Sequence, residues 1–172
     1  MRAAAAMLVG AMLSGCESMP PTNAPRASAS LQPTQSNKAS GTADFYQVGS
    51  KVRVIANLSG LRPGREHGFH VHEAGDCSSG DGMSAKGHFN PQGKPHGHPD
   101  SAQRHAGDMP MLRADRGGDA KLDTELDTMT VTPGPNSIIG RGLIVHADPD
   151  DFKTQPTGNA GARLACAVIQ SR

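Results

Sequence analysis

The chain reads as an all-β protein, an eight-stranded antiparallel barrel or sandwich with long loops, and three observations predict it. It carries 21 Gly and 13 Pro among 172 residues and no Trp, a composition that favours short strands and ordered turns over long helices. Apolar and polar residues alternate with a period of two in several short runs bounded by turn residues, the pattern of half-buried strands. Residues 74–108 hold few apolar side chains and neither periodicity, and a loop that long inside a compact domain is normally functional. With 3% aromatic residues the core must rely on Val, Ile, Leu, Met and Ala, so a covalent or metal brace suits a domain of this size.

Taken in order, the chain opens on what reads as an export signal. Met1-Arg2 is a minimal basic start, residues 3–13 form an apolar run too short to span a bilayer, and Leu13-Ser14-Gly15-Cys16 is a small-residue cleavage site ending in cysteine. That site resembles a bacterial lipobox, in which residues 1–15 are removed and Cys16 becomes the lipidated first residue. An ordinary secretory signal with a chance cysteine is the alternative. Glu17 stands where Asp would signal inner-membrane retention, which points to the outer membrane, on the periplasmic side of a bacterial envelope. Residues 16–25 lack periodicity and read as a tether, so the folded domain is expected over 26–172.

Ala27, Ala29 and Leu31 alternate with Ser28, Ser30 and Gln32, which suits a modest strand ending at Pro33. Seven further strands are expected over 42–48, 51–58, 66–73, 109–115, 120–127, 142–146 and 163–170. The formal charge of +1 falls to about zero once Arg2 leaves with the signal, which argues against a nucleic-acid partner or a polybasic membrane surface. Membrane contact is then expected only through the lipid on Cys16.

The run Glu66-His67-Gly68-Phe69-His70-Val71-His72-Glu73 is the most informative stretch. In a strand His70 and His72 project from one face while Phe69 and Val71 project from the other, so one face can hold a metal and the other can pack into a core. His88, His96, His98, His105 and Asp108 follow in the long loop, and His146 closes the apolar run Leu143-Ile144-Val145. A single histidine is usually a surface or hydrogen-bonded core residue. Jointly, these suffice for two adjacent metal sites. Imidazole suits copper and zinc alike, whereas a carboxylate among histidines suits zinc better than cuprous copper. Spacing alone leaves the pairing of ligands open.

Four segments carry a resemblance: His67-Gly68-Phe69-His70-Val71-His72-Glu73, Gly87-His88-Phe89-Asn90-Pro91, His105-Ala106-Gly107-Asp108 and Gly158-Asn159-Ala160-Gly161-Ala162-Arg163-Leu164-Ala165-Cys166. In sequence order they resemble the copper-zinc superoxide dismutases, from about Arg26 to the C-terminus. The resemblance implies a Greek-key barrel with a metal-binding loop and a channel loop, and one copper and one zinc ion per chain. Copper would be held by His70, His72, His88 and His146, and zinc by His88, His96, His105 and Asp108, with His88 bridging the two. His67 matches a structural histidine of the family and His98 matches no ligand.

The implied reaction converts two superoxide anions and two protons to dioxygen and hydrogen peroxide, with copper alternating between two oxidation states and His88 passing a proton. His88 and Arg163 are therefore the expected catalytic residues, Arg163 matching the arginine beside the family's copper channel, where a fixed cation attracts the anionic substrate. The segment His146-Ala147-Asp148-Pro149-Asp150-Asp151 resembles the one whose carboxylate links a copper histidine to a zinc histidine. The spacing points to Asp150, although Asp148 and Asp151 lie so close that a solvated acidic turn is the alternative.

Setting Cys16 aside for lipid, Cys77 and Cys166 form an even pair in an exported protein, read as a disulfide rather than as thiolate ligands. Cys77 closely follows Gly75-Asp76, as in the bacterial periplasmic branch of the family. That branch often dimerises through a surface of its own, which leaves a homodimer open. A metal-buffering lipoprotein with little catalysis is the competing function.

Overall fold

The computed structural model describes residues 26–172; Cys16, the signal segment and the tether lie outside them. Ten short strands follow one another: β1 (Arg26–Pro33), β2 (Ser40–Val48), β3 (Lys51–Ser59), β4 (Glu66–His67), β5 (Phe69–His72), β6 (Leu112–Arg113), β7 (Ala120–Leu126), β8 (Gly142–His146), β9 (Arg163–Val168) and β10 (Gln170–Ser171). A 3-10 turn, Met83–Ala85, is the single helical element among the described residues. All named strand pairs are antiparallel.

The main sheet runs β5-β8-β9-β1-β2-β3-β7, with β10 also on β1, while β4 pairs with β6. Within the main sheet three connections break the neighbour-to-neighbour order: the chain crosses from β3 by way of β4 to β5, from β5 by way of β6 to β7, and from β7 to β8, so β7 pairs with β3 and β8 with β5. Such crossings are what a Greek-key arrangement requires.

Alternation fills the interior. Ala27, Ala29 and Leu31 of β1 and Val52, Val54, Ala56 and Leu58 of β3 point inward, joined by Phe45, Phe69, Val71, Leu112, Leu143 and Val145 in one continuous core. β8 is buried along its whole length, because Leu143 and Val145 face that core while Ile144 packs on the outer side against Ala85, Cys166 and Cys77. The long loop therefore covers the outside of the barrel wall.

Three expected strands differ by more than one or two residues at an end. The strand expected over 66–73 splits at Gly68, because β4 pairs with β6 and β5 with β8. Gly68 N–H donates to Asp148 O and Gly68 O accepts from His146 N–H; a Cβ there would come within 2.9 Å of Ala160 Cβ and 3.0 Å of His70 Cε1. The strand expected over 109–115 shrinks to Leu112–Arg113, since Pro110 cannot donate to a ladder. The last strand breaks at Ile169, which bonds instead to Gly140 and Arg141. The eight expected strands are thus ten segments, and the stretch expected to hold no helix contains the short turn Met83–Ala85.

Candidate metal centre

β5 and β8 pair so that His70 lies opposite Ile144 and His72 opposite Gly142. Phe69 and Val71 face the core, so both histidines stand on the outer face, as does His146 at the end of β8, where a register shift sets it opposite Arg163. The free edge of β5 takes up the long loop. Val71 N–H donates to Gly107 O, Phe89 N–H to Val71 O, and Glu73 N–H to Gly87 O. These bonds deliver His88 beside His72 and Asp108 beside His70, although the loop has no strand pattern of its own.

Two groups of donors result, each with its ligand atoms within 4.8 Å of one another: His70, His72, His88 and His146, and His88, His96, His105 and Asp108. All are buried, and His88 belongs to both.

The first group presents bare nitrogen lone pairs. His72 Nδ1–H donates to Lys86 O at 2.9 Å and His146 Nδ1–H to Gly161 O at 3.3 Å; a carbonyl only accepts, so the proton of each neutral ring is on Nδ1. Burial and neighbouring histidines hold both rings well below the usual histidine range. Their Nε2 lone pairs therefore face each other at 3.3 Å, an arrangement that calls for a cation between them. His70 Nε2–H donates to Asp150 Oδ2 at 2.7 Å, which leaves His70 Nδ1 bare, and that atom and His88 Nε2 are buried without a hydrogen-bond partner. Burial, then His70, pushes His88 down to about 3, so its ring is neutral in ordinary solution. Four imidazole nitrogens and no carboxylate suit a copper ion.

The second group surrounds one oxygen. Asp108 Oδ1 lies 2.8 Å from His88 Nδ1, 3.0 Å from His96 Nδ1 and 3.4 Å from His105 Nδ1. A tetrahedral zinc ion with bonds of about 2.0 Å has ligand–ligand edges of about 3.3 Å, close to these spacings. Asp108 Oδ2 accepts from Gly97 N–H at 3.1 Å and His105 N–H at 2.9 Å, which aims the other oxygen. Burial would lower the pKa of His96, but the carboxylates of Asp108 and Asp150 against its two nitrogens outweigh that and raise it to about 9. At neutral pH a proton sits there, and a metal ion binding at Nδ1 would displace it.

Asp150 connects the groups. Its Oδ2 accepts from His70 Nε2–H, and its Oδ1 from His96 Nε2–H at 2.9 Å and Phe152 N–H at 2.7 Å. Burial opposes its ionisation, yet these donors keep the carboxyl below the usual carboxylate range. Asp151 instead caps Lys153 N–H and Thr154 N–H at an exposed turn, and neither it nor Asp148 bonds to a cluster histidine.

Cys77 and Cys166 are joined by a disulfide. It ties down the loop whose carbonyls hold Arg163: Nη1–H donates to Gly82 O and Nη2–H to Lys86 O, both at 2.5 Å. Lys86 O thus serves His72 and Arg163 together, with Lys86 at φ 62°. His67 is buried, with Nδ1–H on His146 O at 2.8 Å. His98 belongs to neither donor group; its ring centroid lies 4.6 Å from that of Phe152. The carbonyls of Lys86, Gly82 and Gly161, and the side chain of Gln155 beside His96, have roles that residue type does not reveal.

Two adjacent donor groups that could each hold a metal ion and share one imidazole, on the outer wall of an antiparallel β-barrel, are the arrangement expected of a dinuclear metalloprotein. A family model described as copper/zinc superoxide dismutase (SODC) matches residues 39–169, and the chain belongs to that family. It is 49% identical over 135 residues to a Cu-Zn superoxide dismutase of Paramecium bursaria Chlorella virus 1, a match covering 75% of this chain and 71% of that protein. It is also similar to the crystal structure of the clock protein EA4, with a TM-score of 0.77 and 41% identity over 89% of this chain and 98% of that one. The chain is accordingly an oxidoreductase that dismutates superoxide, in a family that uses copper and zinc.

Proposed function

We propose that the chain removes superoxide in the bacterial cell envelope, with copper held by His70, His72, His88 and His146, and zinc by His88, His96, His105 and Asp108. The observation that carries the ligand assignment is the tautomer pattern: backbone carbonyls and Asp150 take the protons of three rings and leave their opposite nitrogens bare and buried. When bound, copper supplies the one-electron couple that superoxide requires, while redox-inert zinc supplies fixed charge.

The chain's own residues supply the rest. The Lys86 and Gly161 carbonyls fix the orientation of His72 and His146, as outer-sphere partners of metal ligands generally do. His88 Nε2 has no other partner and is the atom that takes and releases a proton on the way to peroxide. Arg163, clamped by two carbonyls and opposite His146, holds a cation where the anion must approach. It matters because the whole chain has almost no net charge to attract that anion.

Metal analysis paired with a superoxide assay on the mature protein tests this reading: one copper and one zinc per chain with rapid turnover are expected. A copper-replete sample no faster than free cupric ion would overturn it. The envelope location rests on the export signal and on Cys16, and the Cys77–Cys166 disulfide suits an oxidising compartment. Substitution Cys16→Ser is expected to abolish lipid labelling and release the protein from the membrane with the domain folded; unchanged retention would refute the anchor. A homodimer fits this reading, and sedimentation velocity on the mature protein reads it out.

A further inference from the structure

We propose that Gln155 is a positioning residue for the zinc-binding group, acting through the backbone of His96. The inference rests on the ligand assignment above and extends it to a residue that touches no metal donor atom.

Gln155 Oε1 accepts from His96 N–H at 2.8 Å and Gln155 Nε2–H donates to His96 O at 2.9 Å. One side-chain amide thus satisfies both backbone groups of one residue, as a neighbouring strand would. His96 has need of it, because it lies outside every strand and neither of its backbone groups bonds to main chain. A single hydrogen bond would leave a hinge; two opposed bonds hold the peptides on both sides of Cα and with them the direction in which the ring leaves the backbone.

The ring is held from the same segment. Asp150 Oδ1 accepts from His96 Nε2–H, so residues 150 and 155 grip His96 at the ring and at the backbone and leave Nδ1 facing Asp108. The turn between them is braced by Asp151, whose Oδ1 accepts from Lys153 N–H and Thr154 N–H and whose Oδ2 accepts from Thr154 Oγ1–H. Gln155 Nε2 also lies 3.2 Å from Lys153 O, which orients the amide within the turn. Zinc affinity and the order of residues 150–155 are therefore coupled, and by reciprocity zinc orders that segment as much as the segment favours zinc.

The test compares Gln155→Ala, which removes both bonds, with Gln155→Glu, which keeps an acceptor for His96 N–H but turns a second oxygen toward His96 O. Gln155 is itself exposed, so neither substitution opens a core cavity. Three readouts are taken: zinc release to excess EDTA, the visible d–d bands of protein carrying cobalt(II) in place of zinc, and the thermal midpoint of the metal-free protein. Expected are zinc release about 10-fold faster for Gln155→Ala, within the range for losing an outer-sphere partner, and a smaller increase for Gln155→Glu. The cobalt bands shift in both, while the metal-free midpoint is unchanged.

Parental release with parental cobalt bands would overturn the proposal. So would faster release that merely tracks a lower metal-free midpoint with unshifted bands, since that is general destabilisation. His96→Ala is the control for the underlying assignment. If it held zinc as the parent does, the ligand set would be wrong; if it lost zinc while Gln155→Ala behaved as the parent, only the role of Gln155 would fail.

Discussion

Replacing Asp150 separates its two histidine partners in a way the geometry specifies. Asp150→Ala removes the acceptor of His70 Nε2–H and of His96 Nε2–H, which are 2.7 and 2.9 Å away with both side chains of each pair fully buried. A buried donor left unsatisfied costs about 1–3 kcal/mol. With about 1.4 kcal/mol per factor of ten, each site should lose roughly 5- to 150-fold in metal affinity, a range that brackets the usual 10- to 100-fold for outer-sphere partners.

Asp150→Asn is the sharper probe. Its single amide oxygen belongs at the Oδ1 position, where it can accept from both Phe152 N–H and His96 Nε2–H. That choice turns the amide NH2 toward His70 Nε2, which must then become an acceptor. The His70 proton moves to Nδ1, the atom needed for copper. Asp150→Asn should therefore release copper at least 10-fold faster in a chelator challenge while zinc release changes several-fold less, with Asp148→Ala near the parent for both metals and Asp151→Ala, which loosens the turn between Asp150 and Gln155, speeding zinc release less than Asp150→Ala does. Metal-resolved release curves would refute the reasoning if Asp150→Asn lost zinc in preference to copper, or if all three alanine variants behaved alike.

Gly158→Ala should mimic loss of the Asp150–His96 bond, because a Cβ there would lie 1.8 Å from Asp150 Oδ1 and 2.6 Å from His96 Nε2 at φ 64°; zinc release at least 10-fold faster is expected by the same chelator assay. Serine at Cys77 and Cys166 should destabilise the domain by roughly 4–5 kcal/mol on the chain-entropy view of an 89-residue separation. Calorimetry should show the lower midpoint, and a metal-replete sample should also turn over more slowly because the carbonyls that hold Arg163 are loosened. Arg163→Glu, with copper content verified, should be about 10-fold or more slower at low salt, and added salt should slow the parent more than the variant; equal rates and equal salt dependence would reduce Arg163 to a surface residue.

The strand-borne half of the site was legible because a period of two is visible in sequence. His70 and His72 alternate with Phe69 and Val71, and the barrel needs the apolar pair inside. His146 was legible for the same reason, at the end of Leu143-Ile144-Val145. The loop-borne half is legible only through motif resemblance, since nothing local predicts that Gly87, Phe89 and Gly107 will bond to the edge of β5. The breaks at Gly68 and Ile169 come from a change of pairing partner, which is a long-range fact. Gln155 is not legible in the sequence. A glutamine in a polar turn carries no signal for a backbone clamp, and the carbonyls of Gly82, Lys86 and Gly161 are groups that every residue possesses.

This division into strand and loop has a physical consequence for the two donor groups. His70, His72 and His146 leave two strands held in one register by the barrel core, and His88 is locked beside His72 by a bridge to β5. Their nitrogens are converged by packing whether or not a metal is present. His96 and His105 have no strand beneath them. Their positions depend on Asp108, on the Asp150 carboxylate and on the Gln155 clamp. The energy that orders the zinc-side loop therefore has to come in part from the ion itself, since metal binding to an incompletely formed site is also folding free energy. Zinc loss should accordingly loosen residues 96–105 and 150–158 first and leave the β5–β8 pairing protected. Hydrogen exchange on zinc-depleted protein separates the outcomes: protection lost from His70 to His72 as early as from His96 would mean that the barrel, too, depends on the ion.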